Sequence, residues 1–174
     1  MFWTVVNELK SPENAGMIVR SHVAFGGQEI VSIGTEPWQF KKRAQAFSRR
    51  LEKLCRFTYL KDEESFFQWC RGNGIIPVAI EIAESPTLLP DFGFPNRAAI
   101  VIGNEGTGLS SSFLSRCAAT VTIPQFGPVG SLNAAVSASI VMNELTRRQP
   151  LGRAILEAKY IVEGAERPRI PDRL

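Results

Sequence analysis

The stretch RAAIVIGNEGTGLSSSFLSRCAATVTIPQFGPVGSLNAAVSASIVMNELTRRQ, residues 97–149, decides the fold. It opens with Ala98 to Ile102, an unbroken apolar run followed at once by Gly103. A strand apolar at every position is buried on both faces, as in a parallel sheet covered by helices. A GxxGxG turn then runs from Gly103 to Gly108. Ala119 to Ile123 is a second such strand, and Gly127-Pro128-Val129-Gly130 a second loop. Ser131 to Arg148 reads as a helix with Leu132, Val136, Ile140 and Leu145 among its apolar positions. Ser131 suits its N-cap and Pro150 its end.

The same grammar extends backwards. Phe2 to Val6 reads as a strand. Glu13 to Phe25 is a helix with Ala15, Ile18, Val19, His22 and Val23 on one stripe, and Gly26-Gly27 suits its C-terminus. Ile30 to Ile33 and Ile75 to Ile82 are further strands. Strands alternating with helices give an α/β class: a mostly parallel sheet with helices on both faces. Residues 1–150 form the domain. Residues 151–174 add a helical pattern (Leu151, Ile155, Leu156, Ile161) and a frayed tail to the same domain.

The bulk numbers set limits. A chain of 174 residues suffices for one core, and 44% hydrophobic with 21% charged residues is ordinary for a globular protein. A net charge of +3 permits an anionic partner. Cys55, Cys70 and Cys117 are widely spaced, and with a single histidine, His22, they make no metal-ligand pattern. No metal is expected, and the cysteines read as buried reduced thiols of a cytoplasmic protein. The N-terminus has no signal-peptide pattern, and no apolar run reaches the roughly 20 residues of a membrane span.

Two familiar nucleotide sites are absent. Asn7 to Pro12, after the first strand, has no GxGxxG, and the Gly103–Gly108 turn lacks the lysine of a P-loop. By itself that turn is equally well a tight strand-to-helix connection. Several Gly-containing loops at strand ends, however, make the crevice where open α/β sheets bind ligands. Their backbone N–H and C=O groups suit an adenine edge.

Residues 99–110 (AIVIGNEGTGLS) resemble the second motif of the SpoU/TrmH RNA methyltransferases of the SPOUT superfamily. Residues 123–127 (IPQFG) with 131–137 (SLNAAVS) through Glu144 resemble the third. The first motif is matched by residues 12–20 (PENAGMIVR) and 24–26 (AFG). The ordered set spans Pro12 to Gln149. The resemblance implies a C-terminal deep trefoil knot, which periodicity does not show. It also implies a homodimer with active sites at its interface and S-adenosylmethionine as methyl donor. Donor contacts would fall to Ile80, Gly103, Asn104, Gly108, Ile123, Gln125 and Leu132. The polar active site would hold Asn14, Arg20, Glu105, Ser131 and Asn133.

The implied reaction moves a methyl from a sulfonium to a ribose 2′-hydroxyl, so the site must align the hydroxyl and take up its proton. The family assigns the proton to the arginine matching Arg20. A guanidinium deprotonates only above about pH 12, so a phosphate-binding, hydroxyl-polarising role stands beside that one. Asn14, six residues earlier, can share a helix end with Arg20, and Asn14 is also a candidate N-cap. Glu105 would orient Arg20 or loop amides. Asn133 would hold the donor's carboxylate end or the substrate ribose.

One more segment bears on the partner. Lys41 to Arg56 (KKRAQAFSRRLEKLCR) holds seven basic residues and one acidic. Ala44, Phe47, Leu51 and Leu54 make an apolar stripe at helical spacing. Cations concentrated in one element are a footprint for phosphates, carried here by Lys41, Lys42, Arg43, Arg49 and Arg50. Members of the family it resembles often carry a Ser-x-Gly-Ala-like stretch in this region, where Ser48-Arg49-Arg50-Leu51 stands here. The chain starts almost at its first strand, without a separate RNA-binding domain, which favours a minimal enzyme acting on tRNA. The alternatives are an enzyme acting on ribosomal RNA and a non-catalytic RNA-binding or assembly factor.

Overall fold

The structure is a computed structural model that describes residues 1–35 and 42–149. Its seven strands are β1 (Phe2–Asn7), β2 (Ile30–Ile33), β3 (Phe57–Leu60), β4 (Ile76–Ile80), β5 (Thr87–Leu88), β6 (Ala98–Ile102) and β7 (Ala119–Thr122). They form one sheet in the order β3-β2-β1-β6-β4-β7-β5, and every pairing is parallel. The helices are α1 (Pro12–Ala24), α2 (Lys42–Ser48), α3 (Glu63–Asn73), α4 (Ser111–Leu114) and α5 (Ala134–Arg148).

Strand alternation divides the core between the two faces. From β6, Ala98, Ile100 and Ile102 point to one side with Phe2, Ile18 of α1, and Val141, Met142 and Leu145 of α5. Ala99 and Val101 point to the other with Phe66, Phe67 and Cys70 of α3 and Phe113 of α4. Helices therefore cover both faces, and the unbroken apolar run 98–102 is accounted for. The second face is an aromatic cluster: Phe66 stacks on Phe113 at 5.7 Å between centroids, and Phe67 lies 4.9 Å from Phe113. Each such fully buried ring contributes about 1.5–3 kcal/mol by leaving water.

Several expectations need correction. The last helix begins at Ala134 rather than Ser131. Asn133 is its N-cap, accepting from the amides of Ala135 and Val136 at 2.9 and 3.3 Å. Asn14 is not a cap either: Ser11 caps α1, its hydroxyl accepting from the Asn14 amide. The basic segment is not one helix. α2 stops at Ser48, and Arg49 and Arg50 adopt positive φ (52° and 61°). A separate 3-10 turn then spans Leu51–Leu54. Its apolar stripe is only partly a packing face, because Phe47 and Leu54 are exposed while Ala44 is buried. Of the cysteines only Cys70 is buried; Cys55 and Cys117 are half-buried, and all three are free thiols. Lys41, Pro150 and the expected helix and tail of 151–174 lie outside the described residues.

Glycine makes one approach possible. A Cβ on Gly16 of α1 would lie 2.3 Å from the Ala44 carbonyl oxygen and 2.8 Å from the Phe47 Cβ, so α2 rests directly on α1.

Candidate active site

The C-terminal ends of β4 and β6, the end of β7 and the N-terminus of α5 enclose a cavity of about 860 Å³. This is where open parallel sheets bind ligands. Ile80 ends β4 and Glu81 directly follows it, Gly103 to Gly108 come from the loop after β6, and Ile123 and Gln125 from the loop after β7. Ser131, Leu132 and Asn133 lead into α5, and Lys10, Ser11 and Asn14 close the remaining side.

The Gly-rich loop holds its own shape. Asn104 is buried, and its Oδ1 accepts from the amides of Gly106 and Thr107 at 2.8 and 3.2 Å. Its Nδ2 donates to the Glu8 carbonyl at 2.8 Å. Both ends of this amide are thus committed inside the protein. Gly103 must lack a Cβ, which would lie 2.6 Å from the Gly108 carbonyl carbon. Gly108 has φ +63°, and a Cβ there would lie 2.4 Å from Glu81 Oε2.

Glu81, which sequence patterning passes over, ties three walls together. Its Oε2 accepts from the Leu109 amide and its Oε1 from the Ile82 amide, both at 2.9 Å. Its backbone amide donates to the Val121 carbonyl at 3.1 Å, and its carbonyl accepts from the Thr122 hydroxyl at 2.5 Å. A carboxylate directly after an apolar strand, at the mouth of a crevice, was the available signal.

A polar chain joins the three motif regions. The Glu105 carboxylate accepts from the amides of Lys10 and Ser11 at 3.0 and 2.9 Å, and from Asn14 Nδ2 at 3.0 Å. A carboxylate only accepts, so it turns the Asn14 amide group towards itself. Asn14 Oδ1 then accepts from Asn133 Nδ2 at 3.0 Å. Burial pushes the Glu105 carboxyl up, but the Lys10 amide, the Asn14 side chain and the Ser11 amide outweigh it. The pKa ends below the ordinary value. Glu105 stays ionised and anchors the start of α1, rather than orienting Arg20. One buried acceptor on the wall, Gln125 Oε1, has no partner among the described residues. That is a polar group waiting for a donor, since an unmade buried hydrogen bond costs about 1–3 kcal/mol.

The expected residues fall into groups. Ile80, Gly103, Asn104, Gly108, Ile123, Gln125 and Leu132 line the cavity, as do Asn14, Glu105, Ser131 and Asn133. Arg20 does not: it is exposed and absent from the cavity wall. Six residues along α1 carry it about 9 Å up the axis and away from the face of Asn14, so the two do not share a helix end. Lys42, Arg43, Arg49 and Arg50 are exposed around α2, with Arg43 paired to Glu13.

Relatives fit this geometry. The family model described as SpoU rRNA Methylase family matches residues 1–143. An "Uncharacterized tRNA/rRNA methyltransferase" of Mycobacterium sp. (strain KMS) is 33% identical over 151 residues, 83% of this chain and 46% of the relative. The chain thus spans about half the length of the curated relatives it matches. The SpoU methyltransferase AviRb from Streptomyces viridochromogenes, in complex with AdoMet, superposes with a TM-score of 0.78 and 26% identity, covering 87% of this chain and 58% of that one. The AdoMet-bound rRNA methyltransferase from Sinorhizobium meliloti gives 0.78 and 25%, over 84% and 56%. Three motifs on one cavity, a parallel sheet shared with these enzymes and a family match over most of its length agree: the chain belongs to the SpoU rRNA Methylase family.

Proposed function

We propose that this protein transfers a methyl group from S-adenosylmethionine to a ribose 2′-hydroxyl of RNA. The observation that carries the proposal is the convergence of the three loops and the Glu105–Asn14–Asn133 chain on one cavity. The residues present fit the donor. The cavity volume lies in the range of small-molecule sites, and its loops approach closely only because Gly103 and Gly108 lack side chains. Gln125 Oε1 offers an unpaired acceptor to an amino group. Backbone at Ile80, Gly103, Ile123 and Leu132 would hold the donor, which supplies an already activated methyl on a cationic sulfur.

The protein's own groups align and polarise. Asn133 and Ser131 face the cavity at the start of α5 and position the substrate ribose. Glu105 fixes Asn14, and Asn14 fixes Asn133, so the acceptor hydroxyl meets a rigid wall. Arg20 has one of two roles: it accepts the proton that the 2′-hydroxyl releases, or it binds phosphate and polarises that hydroxyl while water carries the proton away. Because Arg20 lies off the cavity of its own chain, the site is completed by the Arg20 of a second copy in a homodimer. Val136 and Ile140, exposed one turn apart on α5 beside the cavity, support that interface. A deep trefoil knot in the C-terminal part of the sheet is proposed with this fold. The protein is proposed to work in the cytoplasm, on tRNA first and ribosomal RNA second.

The test is transfer of labelled methyl to unmodified tRNA and ribosomal-RNA transcripts, followed by mapping of nuclease-resistant 2′-O-methyl positions. Label on tRNA supports the full proposal, and label on ribosomal RNA alone redirects the substrate. Donor and RNA binding without transfer would favour a non-catalytic binding factor.

A further inference from the structure

Phe126 differs from the other large apolar side chains: 99% of its surface is exposed. It directly follows Gln125 on the cavity wall and precedes Gly127-Pro128-Val129-Gly130, whose last residue lines the cavity again. Val129 in the same loop is 59% exposed. Neither Gly127 nor Gly130 has any atom within 4 Å of where a Cβ would sit, so the loop stands clear of the body. From Cys117 to Asn143 there is no charged residue. This segment therefore supplies no cation for a phosphate and offers a hydrophobic ring instead.

We propose that Phe126 is a stacking platform for a nucleobase of the RNA at the mouth of the cavity, a reading that rests on RNA being the substrate. A ribose inserted far enough to meet Asn133 leaves its base, or that of the next nucleotide, within reach of the rim. Single-stranded and splayed bases are commonly received on aromatic faces, and stacking tolerates any base. Two parts of the surface then divide the work. The basic residues around α2 attract the backbone, and Phe126 holds a base. Because the ring contributes almost no burial to the folded chain, its removal should leave stability untouched.

The experiment compares wild type with Phe126→Ala, Phe126→Tyr and Phe126→Trp. Thermal stability and donor affinity should match wild type in all three. Binding of a substrate RNA should weaken about five- to a hundredfold in Phe126→Ala, the range that loss of one stacked base gives, and recover in Phe126→Tyr and Phe126→Trp. An RNA made abasic at the methylated nucleotide or its neighbour should bind wild type as poorly as intact RNA binds Phe126→Ala, with little further loss for the pair. Unchanged RNA binding by Phe126→Ala overturns the proposal. So does a loss accompanied by a shift in oligomeric state on sedimentation, which would make the ring a contact between copies. If wild type itself transfers no methyl to any RNA and binds none, the reading of RNA as substrate fails, whatever Phe126 does.

Discussion

Glu81 has no chemical step to perform, yet three walls of the cavity meet on it. Replacing it by alanine releases the Leu109 amide and removes the tie between the end of the Gly103–Gly108 loop and the β4 wall. A hydrogen bond to a charged group contributes about 1.5–3 kcal/mol, so donor affinity should fall at least about tenfold, measurable by titration calorimetry. Arg20 tests the opposite relation. Arg20→Ala should reduce methyl transfer at least about a hundredfold and leave donor binding within about twofold; near-normal turnover would end its assignment. His22 makes a pH prediction. It is buried on α1, hydrogen-bonded to the Thr4 hydroxyl at 2.8 Å and packed against Gly27. Burial pushes its pKa down to about 4, against the upward pull of a hydrogen bond with the Gly27 backbone. In the unfolded chain the ring titrates near its ordinary 6.5. Its stabilising contribution is therefore complete above pH 6.5 and is lost as pH falls towards 4, on the order of 3 kcal/mol in all. Urea midpoints should drop between pH 6.5 and 4.5 in wild type and change much less in His22→Gln.

Elements explain both what the sequence displayed and what it hid. The strands at 2–7, 30–33, 76–80, 98–102 and 119–122 were legible because each is a short run dominated by apolar and β-branched residues, wholly apolar at 98–102. α1 and α5 were legible through their stripes, and the cavity through its glycines. The start of α5 was misread because Ser131 and Asn133 are both good caps, and only contacts with the first-turn amides decide between them. Asn133→Ala should cost about 1 kcal/mol for the lost cap, and more through the stranded Asn14 carbonyl, seen as a lower thermal midpoint. β3 and α3 drew no expectation. β3 is an edge strand whose residues Phe57 to Leu60 are at most half-buried, so its pattern is faint. α3 was within reach: Asp62 caps it, Gly74 ends it in the left-handed region, and Phe66, Phe67 and Cys70 mark its buried face. The break after α2 was not. Two consecutive arginines at positive φ follow from tertiary context, and each costs about 1 kcal/mol or more. The α1–α2 contact gives a further check. Gly16→Val drives two methyl groups into Ala44 and Phe47, and should destabilise by about 1–3 kcal/mol while displacing α2. An unchanged urea midpoint would disprove that packing.

Over the whole molecule, charge and order of assembly matter more than any contact. The segment 41–56 carries seven cations and one anion in a chain of net +3, so the remainder is net negative. Reversing Arg49 and Arg50 to glutamate should weaken RNA binding and lower the slope of log affinity against log salt by about 1.5, the share of two phosphate contacts. An unaltered slope would remove those residues from the RNA interface. The sheet order has a consequence for how the chain comes into being. β1 is made well before β6, one of its two neighbours, whose last residue is Ile102. Until almost a hundred further residues have left the ribosome, an apolar edge of β1 has nothing to pair with. For that interval the nascent chain carries an open strand edge, the template on which other chains can pair.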